Sequence, residues 1–152
     1  TLKFYKKKLL ILTIASIIFL SLPNFSFFKF DQQIQDSDWI DLTTVKIDDY
    51  IQNDDILFVD ITADWCATCQ YNKINVINSL IIQRTFEKNN IIKVRGDWTK
   101  PNKKIENFLQ EHNRFGIPFN IMYSNSFPKG VVLSELLTKK EIINTIEKMK
   151  KN

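Results

Sequence analysis

Between Leu9 and Leu22 the chain is apolar at every position except Thr13, Ser16 and Ser21, and Lys6, Lys7 and Lys8 stand directly before it. Carried on to Phe28, the segment reaches 20 residues, about 30 Å as a helix and enough to cross the hydrocarbon layer of a bilayer. The strict run of 14 residues also suits the core of a cleavable signal peptide, but Pro23, Asn24 and several phenylalanines stand where a small-x-small cleavage site belongs. Residues 1–28 therefore read as a signal anchor, with a cleaved signal peptide as the alternative. In both cases the lysines stay on the cytoplasmic side and the rest of the chain is delivered outward. The last span of a larger membrane protein is a further option that the pattern leaves open.

Residues 29–38 are polar and without a sustained period, and read as a linker. From Trp39 the pattern changes. Ile40 to Thr44 alternates as a short strand does, and Lys46 to Asn53 suits a short helix. Ile56 to Thr62 is almost continuously apolar and β-branched, the mark of a central strand buried on both faces, with Asp60 as the exception. Apolar residues at Tyr71, Ile74, Ile77, Ile81 and Ile82 predict a helix from Cys66 to about Lys88. Ile91 to Val94 is a second buried strand, and Lys103 to Asn113 a helix with Ile105, Phe108 and Leu109 on one face, stopped by Gly116. Phe119 to Tyr123 and Val131 to Leu133 are strands around a turn holding Pro128 and Gly130, and a last helix runs from Lys139 to Met149 behind the N-cap Thr138. Strand, helix, strand, helix, strand, strand, helix is an α/β layout with a parallel pair followed by a hairpin. One domain, residues 39–152, accounts for it.

Charge changes the picture only at the N-terminus. The net +4 includes five lysines and no acid in residues 1–29, which leaves 16 basic against 17 acidic side chains beyond them. The body is nearly neutral, so nucleic-acid binding loses its electrostatic basis.

The candidate chemistry lies at Cys66 and Cys69, the only cysteines of the chain, within Ala63-Asp64-Trp65-Cys66-Ala67-Thr68-Cys69. They fall where a buried strand turns into a helix, and the free N–H groups of a first helical turn favour a thiolate at Cys66. Cys69, one turn on, can reach the same sulfur. Cys66 is then the attacking thiolate and Cys69 the resolving thiol. A zinc site competes poorly, because His112 is the only nitrogen ligand to add to the pair. A structural disulfide closing so small a loop constrains the unfolded chain little. Asp60, six residues before Cys66 inside an apolar strand, is expected to be hard to ionise and able to exchange a proton with Cys69. Trp65 puts a flat ring beside Cys66, where it can shield the sulfur and contact a partner. His112 reads as a surface residue and Lys73 as a solvated one, with a charge near the dithiol. No cofactor motif is visible, and none is required of a dithiol that carries the electrons itself.

Asp60, Trp65-Cys66-x-x-Cys69 and Ile117-Pro118 stand in the order and spacing of the thioredoxin fold. Val59 to Cys69, with the later Gly96-Asp97-Trp98-Thr99, resembles more closely the C-terminal periplasmic domain of the DsbD family, over roughly Trp39 to Lys148. The resemblance implies a three-layer sandwich, a cis proline at Pro118 facing the dithiol, and a role for Ile117 in holding an extended partner segment. It also implies a protein-disulfide reductase of the periplasm, fed by a membrane-embedded donor and acting on disulfide-containing periplasmic proteins. A tethered factor for cytochrome c maturation is the alternative, and a binding module with a static disulfide is the alternative of another class. Two departures stand out. Lys73 occupies a position where that family often has glutamate, and the multi-span electron-transfer domain has no counterpart in the sequence.

Overall fold

In the computed structural model, which describes residues 38–53 and 55–151, five strands form one sheet. They are β1 (Ile40–Asp41), β2 (Leu57–Thr62), β3 (Ile92–Asp97), β4 (Phe119–Ser124) and β5 (Phe127–Val132), in the order β1-β3-β2-β4-β5. β1, β3 and β2 are parallel, β4 runs antiparallel to β2, and β5 antiparallel to β4. The helices are α1 (Ile47–Gln52), α2 (Ala67–Asn72), α3 (Leu80–Lys88), α4 (Lys103–Glu111) and α5 (Lys139–Lys150). The expected anchor, residues 1–28, and the linker before Asp38 lie outside the described residues. Among the described residues no helix is long and apolar enough to cross a membrane.

β2 is buried at all six positions because helices cover the sheet on both sides. Alternation sorts its side chains. Leu57, Val59 and Ile61 join Val94, Ile121, Ile105 and Leu109 on the α4 face, while Phe58 joins Met122, Ile82, Phe86 and Ile146 on the face of α3 and α5. Each large side chain buried in this way contributes about 1.5–3 kcal/mol. The result is the expected three-layer sandwich with a parallel section and a terminal hairpin.

Several boundaries differ from those read in the sequence. The single helix expected from Cys66 to Lys88 passes into a π-turn over Lys73–Ile77 and is then broken at Ser79, whose extended backbone (φ −68°, ψ 142°) precedes α3. The helix phase is not continuous across the π-turn and Ser79, and Tyr71, Ile74 and Ile81 face solvent while Val76, Ile77, Ile82 and Phe86 fill the core. The strand expected from Ile40 to Thr44 gives way after Asp41 to a 3₁₀ turn, Leu42–Thr44, capped by the Asp41 carboxylate on the Thr43 N–H. α4 stops before Gly116, because Asn113 takes a positive φ of 55° and the Arg114 N–H returns to the Leu109 carbonyl. Asn90 (φ 50°) closes α3 in the same manner, with the Ile91 N–H on the Phe86 carbonyl. Pro128 and Gly130 lie within β5 and not in the turn. β5 is an edge strand, where proline is tolerated, and Gly130 (φ 78°) belongs to the hairpin in which β4 and β5 lose register.

Candidate active site

β2 ends at Thr62 and the chain turns through residues 63–65 towards α2. Thr99, just past the end of β3, pins that turn. Its Oγ1 accepts the Asp64 N–H at 3.0 Å, and its carbonyl accepts the Trp65 Nε1–H at 3.3 Å. Thr99 is itself placed by Asp97, whose carboxylate accepts the Thr99 N–H at 2.8 Å. The Gln70 side-chain amide closes the turn from the helix side on the Ala63 carbonyl. Asp97-Trp98-Thr99 entered the sequence reading only as a family signature; the structure gives it a mechanical role.

Cys66 is the N-cap of α2, and its Sγ accepts the Cys69 N–H at 3.2 Å. The two sulfurs are bonded to each other, with Cα atoms 5.2 Å apart. Cys66 is 7% exposed and Cys69 3%, so Cys66 is the more exposed residue of the pair. The pair packs against Ala63 and Ile117, and the Ile117–Pro118 bond is cis. Trp65 is 62% exposed although its indole N–H is held, and it offers an open ring beside Cys66. The structure thus brings Cys66, Cys69 and Ile117 together, with the cis-bonded Pro118 next along the chain and Trp65 directly before Cys66.

The loop between β5 and α5 is tied to the helix that carries the cysteines. The buried Asn72 side chain donates to the Glu135 carbonyl at 2.8 Å and accepts the Leu137 N–H at 3.0 Å, so α2 holds that loop directly. Arg114 reaches Glu135 at 3.4 Å and ties the segment before Pro118 to the same loop. Phe115 and Leu136, on these two segments, are exposed large apolar residues. Sequence periodicity had no means of finding Asn72, because its partners are 63 and 65 residues away.

Asp60 lies on the sheet face opposite to that of Val59 and Ile61, the Phe58 face that α3 and α5 cover. It is 3% exposed. Strand register sets Arg95 of β3 on one side of it and Asn120 of β4 on the other. The Asn120 amide donates to Oδ1 at 2.9 Å, and Arg95 Nε stands 3.5 Å from Oδ2. The Arg95 guanidinium also stacks on the Trp39 ring, 3.9 Å from its centroid. Burial pushes the Asp60 carboxyl above the usual carboxylate range, and the opposing pull of Arg95, Asn120 and Lys73 does not cancel it. Lys73 is half-buried, and its charge acts on Asp60.

His112 is not the surface residue that the sequence implied. It is half-buried, with Nδ1 2.7 Å from the Phe108 carbonyl and Nε2 2.6 Å from the Tyr123 hydroxyl. A carbonyl only accepts, so Nδ1 carries the proton and Nε2 accepts from Tyr123. Burial raises the Tyr123 phenol above its ordinary value, which keeps the hydroxyl a donor. The pair braces α4 against the end of β4 away from Phe119 and serves packing.

The thioredoxin-like family profile matches residues 50–124. Among solved structures, the oxidised C-terminal domain of Neisseria meningitidis DsbD aligns with a TM-score of 0.52 and 19% identity, over 62% of this chain and 80% of that one. A thioredoxin from Nicotiana alata aligns with a TM-score of 0.54 and 18% identity, over 74% and 93%. A thioredoxin from Thermus thermophilus gives 0.55 and 12%, over 74% and 85%. No curated protein matches by sequence. At these identities the structural likeness speaks for the fold.

Proposed function

Starting from a chain that carries a thioredoxin-like domain with a CxxC pair at the head of a helix, we propose that it is a protein-disulfide reductase working through Cys66 and Cys69. The observation that carries the reading is the Cys66–Cys69 bond at the start of α2, packed against Ile117 beside a cis proline.

In the reduced protein the Cys66 thiolate, receiving the Cys69 N–H, attacks one sulfur of a partner disulfide. A mixed disulfide forms and the partner's second sulfur leaves as a thiolate. Cys69 loses its proton and attacks Cys66 Sγ, which releases the partner as a dithiol and restores the Cys66–Cys69 bond. Two electrons pass to the partner. Asp60, in its ionised form, is the group that receives the Cys69 proton, and the burial that raises its carboxyl makes that carboxylate a stronger base than an exposed one. The segment ending in Ile117-Pro118 and the ring of Trp65 hold the partner chain. A membrane-embedded dithiol donor resets the pair. The lysine-flanked apolar segment at residues 1–28 supports a place at the outer face of the inner membrane, with periplasmic disulfide proteins as partners.

Cys69→Ser tests this directly. The variant is expected to accumulate disulfide-linked complexes through Cys66 that reductant dissolves and that Cys66→Ser/Cys69→Ser lacks. A single variant that captures no partner from cells expressing it counts against the reading.

A further inference from the structure

α3 and α5 lie side by side on the outside of the sandwich, and Lys150 Nζ joins them by donating to Asn89 Oδ1 at 2.8 Å. Between them runs a groove of about 790 Å³. Its floor holds Ile143 with Leu80 and Ile81, each of the last two 54% exposed. Arg84, Lys88, Lys150 and Lys151 form its rim, against the single acid Glu147. Exposed aliphatic side chains framed by cations are the surface chemistry of interfacial membrane binding. We propose that this face rests on an anionic lipid surface, with the rim on the headgroups and Leu80 and Ile81 in the interfacial layer.

Charge decides among occupants. The chain's own residues 1–29 carry five lysines and no acid, so the rim repels them. A second copy of the domain would bring the same basic rim to the contact. An anionic membrane satisfies both the cations and the aliphatic floor. The path of the chain points the same way. Trp39 packs against the core cluster containing Phe86, and Asp38 shares a shallow cavity with Gln83, Phe86 and Glu87, so the chain reaches the domain beside α3. In that neighbouring cavity Lys93 pairs with Asp38 at 3.6 Å beside Glu87, so it carries no basic excess and the basic contact is confined to the α3–α5 groove. Ten linker residues reach at most about 35 Å, so an apolar segment inserted in a bilayer would leave this helix within reach of the lipid surface. The dithiol, at the opposite end of β2 from Leu57, stays accessible in this placement.

The test uses the full chain reconstituted in vesicles that carry a photoactivatable headgroup lipid, made either of phosphatidylcholine or of phosphatidylcholine with about 30% phosphatidylglycerol, on the order of a natural anionic fraction. Mass spectrometry locates the label. Peptides covering 80–89 and 143–151 are expected to be labelled at least about fivefold more than the α4 peptide in anionic vesicles, one basic residue's worth of attraction, and no more than α4 in neutral ones. Arg84→Glu/Lys88→Glu should lower the anionic signal about tenfold or more, and Arg84→Gln/Lys88→Gln should lower it less. Dithiol exchange by these variants reports that the fold is intact. Equal labelling in both lipids, labelling no higher than α4, or labelling that the variants leave unchanged overturns the proposal. So does a face without lipid label that carbodiimide links, in native membranes, to the carboxylates of another protein; that result assigns it to an acidic protein segment.

Discussion

Replacing Asp60 by asparagine separates two forces that act on one buried carboxyl. Desolvation opposes its ionisation, whereas Arg95, Asn120 and Lys73 favour it, and desolvation is the largest cause. The native protein therefore binds a proton at Asp60 that the unfolded chain releases. Where the folded state binds more protons, stability falls as pH rises, here from about 3.9, the unfolded carboxyl value, up through the native one, at no more than about 1.4 kcal/mol per pH unit. The asparagine amide has nearly the same shape as the carboxyl and stays neutral, and its oxygen can still accept the Asn120 amide N–H. Near pH 3, roughly one unit below the unfolded carboxyl value, the variant and the parent should be equally stable. Near pH 8 the variant should be more stable by about 1–3 kcal/mol, the scale of burying one polar group poorly. Loss of the carboxylate leaves Arg95 without that counter-charge, and breaking a buried pair can cost about 3–5 kcal/mol. Arg95 keeps its stack on Trp39, however, and its 3.5 Å contact with Asp60 is a loose one. Urea unfolding of the oxidised protein across this pH range, followed by tryptophan fluorescence, reads the difference. A variant less stable than the parent at the alkaline end would refute the reasoning, because it would mean that Arg95 outweighs desolvation. The same substitution is expected to slow resolution by Cys69 about 100-fold as the proton acceptor is lost.

Asn72→Ala removes two hydrogen bonds from a buried position and should destabilise the domain by about 2–3 kcal/mol, with faster amide exchange at Leu137 in hydrogen-exchange measurements. Gly130→Ala would set a Cβ 2.5 Å from Ile121 Cδ1 at a φ of 78°; a loss of about 2 kcal/mol or more is expected in thermal unfolding. Trp65→Ala should leave stability within about 0.5 kcal/mol, since the ring is mostly exposed. It should slow exchange with a protein disulfide about tenfold and leave exchange with glutathione nearly unchanged, which stopped-flow fluorescence or quenched-flow alkylation can compare.

The parts of the fold that could be read from the sequence are those in which local pattern and burial agree. β2 announces itself because a strand covered on both faces must be apolar throughout, and the one residue that breaks the run, Asp60, marks itself by doing so. The dithiol was legible for a similar reason, as two cysteines one helical turn apart where a buried strand ends. The partners of Asp60 were not. Arg95 and Asn120 meet it only through register across the sheet, and each looks like an ordinary polar residue in its own segment. The π-turn at Lys73–Ile77 and the break at Ser79 escaped because a period of three and four can be counted straight through both, and Tyr71, Ile74 and Ile81 were assigned to the wrong side. Asn90 and Asn113 end helices by adopting positive φ, a task for which the sequence offered Gly116 as the obvious candidate at the second site. His112 was misplaced because its partner Tyr123 comes from a strand beyond the loop.

Whether the Cys66–Cys69 bond turns over is the claim on which the account depends. Equilibrating the protein with glutathione and dithiothreitol buffers of graded potential, trapping with an alkylating agent and weighing the products measures it directly. The account predicts a reversible two-electron transition above about −300 mV, together with reduction of a protein disulfide by the reduced form. A bridge that stays closed to potentials below about −300 mV, or a reduced pair that leaves protein disulfides intact, would make Cys66–Cys69 a static staple and contradict it.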